Sequence, residues 1–198
     1  MQSIPQKMIG MITNPIETYR AIGEESLSST LVYFVVVLAI YTVLALIAGM
    51  IWSVVLALFT GGAALLGGIA GMAIGIFTTP IFAIITMVIL IVLLHIAATL
   101  LGGTGDLNET VRVVVYGATP SYLLGWIPFV GFLFWLWSFA LFVFGLEERH
   151  RMERNRAAIA SLVVLAICVV IYVLVIVLAI AAGAFAVNQL LNPGSMGY

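Results

Sequence analysis

The chain has 198 residues, 64% of them hydrophobic and 8% charged, with a net charge of -1 and a mean hydropathy of +1.28. A soluble domain carries about 25% charge, so a soluble fold is excluded and an all-α, polytopic membrane bundle is expected. The charge balance leaves no basic surface for nucleic acid, and the single Cys168 gives neither a disulfide framework nor a CxxC metal pair.

The opening residues MQSIPQKMIG lack a basic stretch followed by an apolar one, so no cleavable signal peptide is expected and the first span must do the targeting. Residues 1–30 read as a cytoplasmic amphipathic segment. Within it, Asn14-Pro15-Ile16-Glu17 places a cap, a proline and an acid where a helix starts. Ile16, Tyr19 and Ile22 then share a face, with Glu17 and Arg20 elsewhere, which predicts a short interfacial helix.

Residues 31–187 read as a five-span domain. Between Glu25 and Asp106 the only ionisable side chain able to carry charge near neutral pH is His95. A span needs about 20 residues, and the first two are placed at about 31–59 and 79–101. Between them lies GGAALLGGIAGMAIG, in which Ala63, Gly67, Gly71 and Gly75 recur every fourth residue. Small residues at that spacing allow close helix packing, and the segment reads as a close-packed or re-entrant helix or a further span. A third span over about 111–126 is interrupted by Gly117, Pro120 and Gly125, and a kink is expected near Pro120. An aromatic fourth span, about 129–146, leads to EERHRMERNR at 147–156, and a last span covers about 157–187. The tail 188–198 is then extracytoplasmic. Five spans with the N-terminus inside put Lys7, Arg20, Arg112, Arg149, Arg151, Arg154 and Arg156 all on the cytoplasmic side, as the positive-inside rule asks.

The stretch LLGGTGDLNETVRVVVYGATP holds the only aspartate, Asp106, in a GxGD sequence. Aspartyl proteolysis needs two carboxylates sharing a proton, and no second one is placed to serve. A phosphate loop needs GxxxxGK[ST] after a strand, which is absent. The loop therefore reads as structural: Gly102, Gly103 and Gly105 end one helix and turn the chain, Asp106 caps the next, and Glu109 stands as in a capping box. No catalytic, cofactor-binding or metal site is expected, and enzyme activity is not.

His95 lies within the second span, where proton relay or ligand binding is the functional reading and a neutral, hydrogen-bonded imidazole the plainer one. Arg112 is placed for local pairing with Asn108 and Glu109, for snorkelling to the interface, or for a headgroup or partner contact. The 147–156 cluster reads chiefly as a topology signal with ion pairs, and Trp126, Phe129, Phe132, Phe134, Trp135, Trp137 and Phe139 as interface belt and packing.

The run LLHIAATLLGGTGDLNETVRVVVYGATPSYLLGWIPFVG, the aromatic span, the GLEERHRMERNRAA segment and the final apolar helix together resemble the Yip1-domain family. The most specific parts are His95 to Gly103, Tyr116-Gly117-Ala118-Thr119-Pro120, and Gly145 to His150. The NPIETYRAI segment is similar to the entry segment of bacterial and archaeal members. The resemblance implies five helices, a cytoplasmic N-terminus and, in eukaryotic relatives, binding to Rab GTPases and trafficking partners. This chain lacks their long hydrophilic N-terminal region and so resembles a prokaryotic-type member. His95, Arg112, Tyr116 and Pro120 are the candidate functional positions. The expected role is membrane organisation or partner recruitment in the cell membrane, with lipid, cytoplasmic-loop partners and a second copy as interactors. A small-solute or ion transporter using the broken third helix and His95 is the rival.

Overall fold

The structure is a computed structural model and describes residues 2–23, 25–60 and 62–191. Among these the chain is helical without strands: α1 (Ile4–Thr13), α2 (Pro15–Ile22), α3 (Leu27–Thr60), α4 (Ala63–Leu100), α5 (Leu107–Gly117), α6 (Thr119–Leu124), α7 (Gly131–Arg149) and α8 (Arg154–Leu191). Four helices, α3, α4, α7 and α8, are long and apolar enough to cross a membrane.

The glycine-rich segment is neither re-entrant nor a span of its own. It is the first third of α4, which runs unbroken past Gly67, Gly71, Gly75 and Pro80 to Leu100. A glycine costs about 1 kcal/mol in an exposed soluble helix, but without water to compete for the backbone the helix is kept. α4 returns antiparallel along α3, with Gly68 against Ser53 and Gly75 against Leu46. Gly67 and Gly71, expected to be packing positions, would meet nothing within 4 Å if given a Cβ. The stripe used against α3 is therefore Gly68 and Gly75, seven residues apart and two turns along one face.

The expected third span is two helices. α5 stops at Gly117 and α6 starts at Thr119, with Pro120 buried in the first turn of α6, where a missing N–H costs nothing. The groups freed at the break are filled from neighbours. Tyr33 on α3 shares a 2.8 Å hydrogen bond with the Thr119 hydroxyl, and the Ser121 N–H donates to Ser138 Oγ on α7 at 3.2 Å. α7 then runs back along α5 and α6, so that Glu109 meets Arg149 and Gly125 meets Trp135.

The N-terminal segment holds two helices where one was expected. Asn14 ends α1 and begins α2. Rather than lying free on a surface, α1 rests on α5 and α6, and α2 rests on α7. Met11, Tyr19 and Ile22 are fully buried, and the Tyr19 hydroxyl donates to the Val113 carbonyl at 3.0 Å. The core these helices complete includes Tyr33, Leu94, Val113, Tyr116, Leu141 and Leu146. α8 joins it through its first four turns, with Ala157, Ala160 and Val164 buried in it and Ala158 and Cys168 packed against it. The expected tail 188–198 is helical as far as Leu191, and residues 192–198 lie outside those described.

Candidate functional site

Polar side chains gather at the end of the bundle where α1, α2 and the starts of α3, α5 and α8 meet the ends of α4 and α7. Two linked arrangements occupy it.

The first is built on Thr110, one turn into α5. Its hydroxyl lies 2.8 Å from His95 Nδ1 on α4 and 2.9 Å from His150 Nε2 at the end of α7. It is also 3.4 Å from the Asp106 carbonyl. One hydroxyl has one proton to give, so at least one imidazole must donate to it. His150 is fully buried and its Nδ1 has no partner among the described residues. Donation from His150 Nε2 leaves a bare lone pair there, which is cheaper than a stranded N–H. Burial, followed by the neighbouring His95 imidazole and Arg149, pushes the His150 pKa below its usual value, while Glu109 and Asp106 pull the other way. The geometry gives His95 a hydroxyl and a second imidazole as neighbours.

The glycine loop is the lid over this group. Gly102 has φ +88°, in the left-handed region that favours glycine. At Gly105 a Cβ would lie 2.8 Å from the His150 ring, and at Gly103 one would lie 3.0 Å from the Ala98 carbonyl. Thr104 donates to the His150 carbonyl from its N–H at 3.0 Å and from its hydroxyl at 3.3 Å. Asp106 accepts from the Glu109 N–H at 2.9 Å and caps α5. Glu109 does not reach back to complete a capping box. Its carboxylate instead bridges Arg112 and Arg149.

That bridge belongs to the second arrangement, a chain of charges through the buried end. Arg112 is 9% exposed and does not snorkel: it pairs with Glu109 and donates to the Glu25 carbonyl at 2.7 Å. Glu25 in turn pairs with Lys7 of α1 and accepts from Ser29 at 2.8 Å. The Lys7 ammonium stands 5.9 Å from the centre of the Tyr116 ring, which packs on Tyr33 with centroids 4.4 Å apart. Tyr116 is fully buried. At the rim, Arg20 of α2 makes a two-pronged contact with Glu148, at 2.7 and 3.0 Å. An open cleft of about 470 Å³ lies over the loop, lined by Thr104, Asp106, Glu109, Glu148, Arg149 and Arg151.

Of the expected functional positions, the structure brings His95 to Thr110 and Arg112 near Tyr116, while Pro120 is part of the helix break. Thr110, His150, Glu25 and Lys7 were not singled out as a group. No spacing relates them: Thr110 is 40 residues from His150, and Lys7 is 18 from Glu25. The signal available was their rarity, since a chain with 8% charge uses each ionisable group where desolvation must be offset. Among the described residues no three His, Cys, Asp or Glu side chains are grouped to hold a metal ion.

The Yip1 domain family matches residues 9–176, from the middle of α1 into α8. The chain belongs to the Yip1 domain family. Comparison with curated proteins and with solved structures gives no match. The Yip1-domain match takes in the Thr110 group, the broken α5–α6 pair and all of the charge chain except Lys7, which lies two residues before it. This Yip1-domain chain is a multi-pass integral membrane protein.

Proposed function

We propose that the protein is a non-enzymatic membrane scaffold that recruits partners at its polar end. In this reading α5 and α6 together make a fifth crossing, because α7 returns along them and both ends of that hairpin must be accounted for. The polar end is then cytoplasmic, and α1 and α2 lie in the interface on that side. The observation that carries the reading is the open polar cleft, with Arg151 at its rim, set on an end that buried ion pairs hold in one geometry. Rigid polar surfaces bind with less ordering cost than loose ones. A transport path through the broken helix finds no support, since Thr119 and Pro120 at the break are buried and hydrogen bonds fill it.

A photo-cross-linking residue at position 151, with position 174 on the lipid-facing side of α8 as control, tests the proposal in native membranes. Discrete protein adducts are expected at 151 and not at 174, and they should disappear when the Arg20 and Arg149 charges are reversed. Specific, saturable flux of an ion or small solute in reconstituted liposomes would overturn the scaffold reading.

A further inference from the structure

Three of the helices are much longer than a bilayer requires. α3, α4 and α8 have 34, 38 and 38 residues, about 51 to 57 Å at the helical rise. α7 has 19 and is about 29 Å long, which matches a hydrocarbon core of roughly 30 Å. Each of the four has one end in the polar arrangement, so the surplus collects at the opposite end.

The level at which it begins is marked by tryptophans. Trp126 and Pro128, at the turn between α6 and α7, line one small pocket with Ala48, Ile51, Trp52 and Val55 of α3. The Trp135 indole nitrogen lies against Gly125 at the same turn. Tryptophans at one level are the girdle that settles at a membrane–water boundary. Beyond Trp52 the chain continues as helix to Thr60, turns, and returns from Ala63 without a charged residue. Leu58, Phe59 and Leu66 are 80%, 82% and 74% exposed there. On α8 every residue from Val169 to Phe185 is exposed, on all sides of the helix.

A surface made for another protein is a stripe, whereas an apolar helix bare all round is suited to hydrocarbon. Tilting does not hide the surplus. Fitting α3 into a core of about 30 Å needs a tilt of about 50°, beyond the 0–40° that spanning helices adopt. We infer that the far ends of α3, α4 and α8 are sheathed by lipid acyl chains, so that the protein fits a bilayer thicker than about 30 Å and leaves these ends bare in a thinner one. This inference stands apart from partner recruitment and would survive its failure.

The experiment uses single cysteines in a Cys168→Ala background, reconstituted in phosphatidylcholine vesicles with 14-, 18- or 22-carbon monounsaturated chains. A water-soluble maleimide is supplied on both sides, and each variant is first checked for an unchanged size-exclusion profile. Leu66→Cys and Phe185→Cys sit in the extensions, Arg151→Cys at the polar end, and Val170→Cys on the lipid-facing part of α8. Labelling of Leu66→Cys and Phe185→Cys is expected to be at least ten-fold slower in 22-carbon than in 14-carbon lipid, with Arg151→Cys fast and Val170→Cys slow in both. Rates at the two extension sites that do not change with chain length overturn the inference. Fast rates would place the extensions in water, and slow ones under protein.

Discussion

Glu109 receives guanidinium groups from two helices, Arg112 of α5 and Arg149 of α7, and all three side chains are at least four-fifths buried. Glu109→Gln keeps the shape and removes the charge, leaving two arginines with no carboxylate between them. Breaking a fully buried pair costs about 3–5 kcal/mol, and with this partial exposure about 2–4 is expected, read as a lower melting temperature in detergent. An equal loss in Arg112→Met and no further loss in the double variant would show that Glu109 and Arg112 act as one unit. The Arg112 contact is visible in the sequence as an i, i+3 pair. Arg149 is 40 residues away, and only the antiparallel return of α7 brings it in. His150 gives a pH test at the same scale. Its folded-state pKa is lowered by burial first and by His95 second, so the unfolded chain binds the proton more readily than the folded one. Stability from this group is then complete above about pH 7.5 and falls as pH drops through the ordinary imidazole value of about 6.5. The loss levels off below the folded pKa. His150→Asn should flatten the melting-temperature curve between pH 7.5 and 5.5, and an unchanged slope would assign the pH dependence to the carboxylates.

At the scale of the elements, the α3–α4 hairpin sets the clearest contrast. A Cβ on Gly68 would come within 2.3 Å of Ser53 Oγ, whereas one on Gly71 would meet nothing within 4 Å. Gly68→Leu should therefore force the two helices apart and cost about 1–3 kcal/mol. Gly71→Leu should be close to neutral, or mildly stabilising through helix propensity. Comparable losses in both would mean that the outward face of α4 is covered, by a second copy or another partner. A four-residue glycine repeat is legible in the sequence, but α4 carries glycines on more than one face, and spacing alone does not say which face the neighbour takes. The break at Gly117 to Pro120 was legible for the opposite reason, because proline alters the chain wherever it falls. The length of α4 was not legible. The glycines that suggest an interruption in water are held as helix where the backbone has no other partner.

With α5 and α6 taken as the proposed fifth crossing, the whole molecule is an odd number of passes pinned at one end. α4 runs antiparallel to α3, α7 antiparallel to α5 and α6, and α8 leaves from the end where α7 arrives. Lys7, Arg20, Arg112, Arg149, Arg151, Arg154 and Arg156 all lie at or near that end, and in the proposed five-crossing reading that end is the cytoplasmic one. Composition made the membrane class and the helical architecture legible, since 64% hydrophobic content leaves the backbone no partner but itself. The docking of α1 and α2 was less so, because it depends on long-range contacts such as Tyr19 to Val113, 94 residues apart. The topology makes a direct prediction. In a Cys168→Ala background, Ile9→Cys on the exposed face of α1 and Arg151→Cys should both resist an impermeant maleimide in intact cells and both label after permeabilisation. Agreement between the two positions is the sensitive part of the test, since they sit on either side of four proposed crossings, α3, α4, the α5–α6 pair and α7. If α5 and α6 did not cross, position 151 would lie on the opposite side from position 9, and one of the two would label in intact cells.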